Sequence, residues 1–163
     1  MADIKSSEER SKNMSAIKSK DTKPELYLRK GLYLRGFRYR LIPANVPGHP
    51  DLYMAKYKLA VFVHGCFWHR HEGCKYAYMP KSREEFWNKK FENNIRRDAE
   101  VRQQLYDTGI RCLIVWECAI NRSRQKKYSS ESLFCEIEKY IFSDQVYGEI
   151  SIDVLKPVER QDN

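Results

Sequence analysis

Apolar positions along the chain switch period several times, and each switch marks an element. Thr22 followed three residues later by Glu25 has the form of a capping box, Pro24 suits a first helical turn, and Leu28 and Leu32 supply an inward stripe that Gly36 ends, which predicts a first helix. Phe37 to Ile42 alternates apolar with basic residues, the pattern of a half-buried strand, before the Pro, Asn and Gly of residues 43–50 break it. Asp51 to Met54 and Leu59 to Val63 read as two strands around a tight turn near residues 55–58. The run LAVFV is apolar on both faces, as a central strand is. Ser82 and Glu85 suggest a second capping box, opening a long helix to about Thr108 that Gly109 closes. Ile110 to Trp116 is a buried strand, and Ser130 to Phe142 a last helix with Leu133, Ile137 and Tyr140 inward. The order αβββαβα predicts an α/β fold, one mixed sheet with helices packed against it.

Between these elements lie segments without periodicity. Residues 1–20 are polar and rich in Lys and Ser, which suits a flexible arm that orders against a partner; residues 21–143 hold the folded domain and residues 144–163 a C-terminal tail. Residues 64–81 carry Gly, Pro, Cys and three of the four histidines, the composition of a loop with a chemical task. The length of 163 residues suits one domain. Thirty Lys and Arg against 22 Asp and Glu give a net charge of +8, a balance that favours a polyanionic partner such as nucleic acid. No apolar run nears the roughly 20 residues that span a bilayer and the N-terminus is polar, so no membrane is expected and the protein is read as cytoplasmic.

Five cysteines do not make a disulfide framework, and a reducing compartment leaves them available to metal. Cys66, His71 and Cys74 crowd into nine residues, and Cys118 follows a core strand able to return it to the same place. Three thiolates and one imidazole make a closed tetrahedral Zn2+ site, structural because no position is open. It would hold a loop too poor in aliphatic residues to build its own core. Cys112 and Cys135 sit at apolar positions and read as ordinary buried thiols. Asp51 opens one strand while the next ends at Val63 and His64, so an antiparallel pairing brings the carboxylate beside a strand-end carbonyl, a hard-oxygen seat for Mg2+ flanked by His64 and His69. The same residues also fit a Pro-Asp turn and a satisfied strand-end histidine.

Four strings in order, SKNMSAIKSKDT at 11–22, PGHPD at 47–51, HGCFWHRHEGC at 64–74 and LIVWEC at 113–118, resemble the very-short-patch repair (Vsr) endonucleases. The resemblance implies a restriction-endonuclease-like fold of the PD-(D/E)XK superfamily and a DNA endonuclease that nicks one strand beside a T:G mismatch left by deamination of 5-methylcytosine. It implies Asp51 and the Val63 carbonyl as Mg2+ ligands, His69 as the group that activates water, His64 as its partner at the phosphate, and Glu25 and Asp98 as supporting carboxylates. Glu25 is equally the acid of its capping box. Asp98 lies three residues from both Ile95 and Val101, on what reads as an apolar stripe, where a charge needs a partner such as Arg102 or a catalytic histidine.

Toward double-stranded DNA the resemblance implies that Phe67, Trp68 and Trp87 wedge between base pairs, that Met14 enters from the opposite groove, that Lys90 and Asn94 touch base edges, and that Ser11, Lys12 and Asn13 contact phosphate or minor groove. Unstacking a mismatched step is cheap and flat aromatics recover part of its cost. A small aromatic core over the loop and a solvated polar face are the plainer alternatives for Phe67, Trp68 and Trp87 and for Lys90 and Asn94. Gly73 spaces the last loop ligand one residue further than the family pattern, and Val63 stands where a polar residue is usual. A monomer with one site would nick, with an accessory repair protein as a further partner. A non-catalytic zinc module and a dimeric restriction nuclease are the competing readings.

Overall fold

The computed structural model describes residues 20–125 and 128–155, together with residues 6, 8, 9, 11 and 12. Four strands form one mixed sheet in sequential order. Strand β1 (Leu52–Met54) runs antiparallel to β2 (Leu59–His64), with Leu52 opposite Val61, and the one-turn 3-10 segment Ala55–Tyr57 joins them. Lys58 closes that turn in the left-handed region at φ 46°. β2 lies parallel to β3 (Arg111–Trp116), and β3 parallel to β4 (Tyr147–Ile150). The LAVFV run is therefore an interior strand, as its two-sided apolar character requires.

Alternation divides these strands between two cores. Leu59, Val61, Leu113 and Val115 face Leu28 and Leu32 of α1 (Lys23–Leu34) and Leu133 and Ile137 of α4 (Ser130–Ile141). Ala60, Phe62, Cys112, Ile114 and Trp116 face the other way, toward Leu105 of α2 (Glu84–Asp107) and toward Cys66 and Cys118. Each fully buried aliphatic side chain contributes roughly 1.5–3 kcal/mol, so the first face, lined by residues at 0% exposure, anchors the domain. The parallel pairing of β2 with β3 needs a crossover, which α2 supplies. Among the described residues no helix is long and apolar enough to cross a membrane.

Several elements differ from the sequence reading. Phe37 to Ile42 is not a strand: it makes one antiparallel bridge, Arg40 with Tyr53, before Ile42 turns the chain at φ 42°. Its alternation reflects Phe37 packing into the core while Leu41 and Ile42 stay exposed. The helix α2 begins at Glu84 from Arg83, left-handed at φ 56° and without a side-chain cap, so the Ser82–Glu85 box does not form its start. A short helix α3 (Glu117–Ser123) follows β3 directly, and β4 falls in the segment read as a tail. The order is αββαβααβ. Cys135 is exposed, on the face of α4 turned away from Leu133 and Ile137, whereas Cys112 is buried as expected.

Ile95 is 52% exposed, so the stripe inferred on α2 is not a core stripe. Only Phe91 and Leu105 of that helix are buried, because its middle stands over a cleft rather than against the sheet.

Candidate active site and metal centre

The cleft, ≈ 1200 Å³, opens between α2 and the carboxyl end of β2 and β3, and Glu25, Asp51, Val63, His64, His69 and Asp98 all line it. The β1–β2 pairing delivers Asp51: its Oδ2 accepts a hydrogen bond from the Val63 N–H at 2.6 Å. Burial pushes the Asp51 carboxyl up to about 6 against the opposing pull of that N–H, and the Glu25 charge adds to the rise. The charges of Arg29 and His69 pull it only partway back, and its carboxylate supplies hard oxygen donors of the kind that fit a divalent cation such as Mg2+.

Glu25 takes part in the start of α1 and also lines the cleft. Thr22 caps α1, its Oγ1 accepting from the Glu25 N–H at 3.4 Å, and the Glu25 carboxylate in turn accepts from the Asp21 N–H at 2.8 Å. It is also 6% exposed at the cleft wall. The buried Arg29, one turn on, reaches Glu25 at 3.2 Å and Asp21 at 2.6 Å. Arg29 was not singled out from the sequence, although the i,i+4 spacing from Glu25 is the signal that finds it.

His64 ends β2 with 9% exposure, and its ring stacks on His69 at 3.7 Å and 9° from parallel. Burial, and then the proximity of His69, lowers the His64 pKa to about 3. His64 is thus a neutral imidazole throughout the physiological range. His69 Nδ1 lies 2.7 Å from Asp98 Oδ2. Asp98 therefore pairs with the histidine rather than with Arg102, whose guanidinium lies 4.6 Å from the Tyr147 ring centroid. Ligand atoms of His64, His69 and Asp98 lie within 4.8 Å of one another.

The second group follows from strand register. His64 pairs with Trp116 across the parallel β2–β3 ladder, so Cys66 and Cys118, each two residues on, emerge side by side. With His71 and Cys74 their ligand atoms all fall within 4.8 Å of one another, and His71 Nδ1 is 3.5 Å from Cys118 Sγ. Edges of that size match a tetrahedral thiolate and imidazole shell, so this quartet can hold a metal ion. The hydrogen bond between the neighbouring Cys66 and Cys118 thiols lowers the Cys118 pKa and raises that of Cys66. Trp116 stacks flat on His71, 4.1 Å and 6°, and meets His64 edge-on at 5.5 Å. No sequence pattern marked Trp116 beyond its place in the apolar run; only the register reveals it.

Phe67, Trp68 and Trp87 are half-buried in one aromatic cluster, with Phe67 5.1 Å from Trp68, 5.4 Å from Trp87 and 5.2 Å from the buried Phe91. The Lys90 ammonium stands 5.3 Å over the Trp68 ring, and Asn94 Nδ2 donates to the Trp68 carbonyl at 2.9 Å. Ser11 and Lys12 are exposed, and Asn13 and Met14 lie outside the described residues.

Residues 2–75 match the family model for DNA mismatch endonuclease Vsr. The chain is 39% identical over 150 residues to the DNA mismatch endonuclease Vsr of Escherichia coli (strain K12), an alignment covering 92% of this chain and 94% of that protein. It is 42% identical over 120 residues to the type II nicking enzyme V.NmeAIP of Neisseria meningitidis, covering 74% and 85%. Against the type II nicking enzyme V.XorIIP of Xanthomonas oryzae pv. oryzae it is 40% identical over 121 residues, covering 74% and 88%. With the cleft, the two side-chain clusters and relatives aligned along most of their length, the chain belongs to the Vsr family of DNA mismatch endonucleases.

Proposed function

We propose that this endonuclease nicks one strand of duplex DNA beside a T:G mismatch, using Mg2+ at Asp51 and a water activated by His69. The observation that carries the reading is the convergence of Asp51, Glu25, His64, His69 and Asp98 on one cleft beside the Cys66, His71, Cys74 and Cys118 quartet. Asp51 and the Val63 carbonyl would hold the divalent ion, which when bound supplies charge neutralisation at the phosphate and Lewis-acid help to the leaving oxygen. Asp98 takes Nδ1 of His69, which leaves Nε2 free to accept a proton from water, and the carboxylate then stabilises the imidazolium. His64, neutral and stacked on His69, restricts the ring that works. Zn2+ in the quartet would fix the loop that carries both His69 and the aromatics, in a restriction-endonuclease-like PD-(D/E)XK frame. Phe67, Trp68 and Trp87 would enter the mismatched stack, with Met14 from the arm, while Lys90, Asn94, Ser11, Lys12 and Asn13 contact bases or backbone.

The test is a nicking assay on matched and T:G duplexes with Mg2+, with Mg2+ omitted, and with Asp51→Asn. Expected are one-strand breaks confined to the T:G duplex, lost on omitting Mg2+ and in the variant, with duplex binding retained. Binding without breakage would leave a DNA-binding zinc module, and cutting of both strands of matched DNA a restriction nuclease.

A further inference from the structure

Arg70 belongs to neither cluster of candidate ligands, yet it occupies the residue between them and lines the same cleft. His69 on one side is engaged by Asp98, and His71 on the other belongs to the quartet. The backbone at Arg70 is left-handed, φ 52°, a conformation costing on the order of 1–2 kcal/mol for a residue with a Cβ. Its guanidinium reaches into the loop.

There the guanidinium gathers three main-chain carbonyls: Phe67 at 3.3 Å, Tyr78 at 3.0 Å and Ala77 at 2.7 Å. Its carbon also stands 4.0 Å from the ring centroid of Phe91, which is 3% exposed in α2, and 5.9 Å from that of Phe67. One side chain thus ties the front of the loop, its rear and the long helix together. Phe67 sits inside this clasp, its ring 5.2 Å from both Tyr78 and Phe91. A planar fork with several donors in fixed directions is what this requires; a lysine ammonium has neither the reach nor the shape.

We infer that Arg70 is the positioning residue that sets mismatch discrimination, by locking Phe67 and Trp68 against α2 before DNA arrives. The inference rests on the wedge reading of those aromatics given above. A preordered wedge does not lose conformational entropy on insertion. Because only His69 separates Trp68 from Arg70 along the chain, the clasp also fixes the offset between the opened base step and the bond to be cut. A misplacement of about 1 Å there costs up to roughly 100-fold in rate.

The experiment compares wild type, Arg70→Ala, Arg70→Lys and Trp68→Ala as zinc-loaded full chains. Four readouts are needed: kcat and KM on T:G and matched duplexes, fluorescence of 2-aminopurine placed beside the mismatch, zinc per chain and the unfolding midpoint. Arg70→Ala is expected to lose about 10- to 100-fold in kcat on the T:G duplex, with KM little changed, and most of the fluorescence rise, while keeping its zinc. Arg70→Lys is expected to fall with Arg70→Ala. Full recovery in Arg70→Lys would make Arg70 a mere charge contact, and zinc loss or unfolding in both variants would make it structural; each overturns the inference. An Arg70→Ala protein equal to wild type, while Trp68→Ala loses signal and rate, would overturn it and leave the wedge standing. Unchanged fluorescence and rate in Trp68→Ala would instead bring down the wedge reading and the inference with it.

Discussion

His69 turns its Nδ1 to the Asp98 carboxylate at 2.7 Å across the gap between the loop and helix α2. The pair engages one ring nitrogen of His69, and under the proposed mechanism the carboxylate would act through orientation and charge. Its two side chains are 29% and 30% exposed, open enough for water to reach the imidazole.

Replacing His69 by Ala removes the proposed base, and single-turnover nicking is expected to fall by about 100- to 10,000-fold with duplex affinity little changed. Asp98→Asn keeps a hydrogen-bonding group but loses the charge, and is expected to cost less, about 10- to 100-fold. Equal losses for both, or a loss confined to binding, would contradict the division of roles.

Asp51 predicts a pH dependence of stability. Its folded pKa is raised to about 6 from an ordinary 3.8, so the folded protein holds a proton that the unfolded chain releases between those values. In Mg2+-free buffer the buried charge therefore penalises the fold above pH 6, and the penalty fades as pH falls from 6 toward 4. Asp51→Asn is expected to unfold at a higher temperature than wild type near pH 8, with the difference shrinking below pH 6. His64 works in the opposite sense in both proteins: lowered to about 3, it stays neutral when folded while the unfolded chain takes up a proton, so it favours the fold above pH 6.5 and loses that contribution toward pH 3. The comparison of the two proteins cancels it. A difference that grows on acidification would refute the assignment.

What the sequence made legible was local or periodic. Leu28 and Leu32 on α1, the LAVFV strand and the Thr22 cap follow from neighbours within a turn or a pleat, and all are present, while the Glu25 carboxylate reaches the Asp21 N–H and not that of Thr22. The approach of Asp51 to Val63 and of Cys118 to the loop cysteines followed from assuming the strand pairing, although the observed bond to Asp51 comes from the Val63 N–H where the reading expected its carbonyl as a metal ligand. What escaped depends on tertiary placement. Alternation at residues 37–42 could not reveal that only Arg40 finds a partner, and Tyr147–Ile150 is too short a run to announce a strand without β3 beside it. Asp98 was rightly suspected of a histidine partner, but for a partly mistaken reason, since Ile95 is exposed and the helix face borders the cleft.

Gly31 predicts a stability effect remote from the cleft. A Cβ there would lie 2.0 Å from Cζ of Phe134, itself 2% exposed and covered by the Arg35 guanidinium at 4.0 Å. Alanine favours a helix over glycine by up to about 1 kcal/mol, whereas forcing a packed aromatic aside costs about 1–3 kcal/mol. Gly31→Ala is expected to lose stability on balance, lowering the midpoint of thermal unfolding by a few degrees, roughly 2–4 °C per kcal/mol for a chain of this size. A raised midpoint would mean that α1 and α4 are not in close contact at this point.

Cys118 and Cys112 give a matched test of the quartet, since both are buried near β3 yet only one belongs to it. Burial pushes the Cys112 thiol up to about 12. Cys118 differs by position: its Sγ lies with the ligand atoms of Cys66, His71 and Cys74, all within 4.8 Å of one another. A structural zinc contributes on the order of 10 kcal/mol in small zinc-dependent folds, but here the sheet has its own core, so the loss should be confined to the loop. Cys118→Ser is expected to retain the secondary-structure signal while binding little zinc and nicking at least about 100-fold more slowly, because His69 is carried by that loop. Cys112→Ser is expected to keep one zinc per chain. Equal metal content in the two variants, measured by atomic emission after gel filtration, would remove Cys118 from the site.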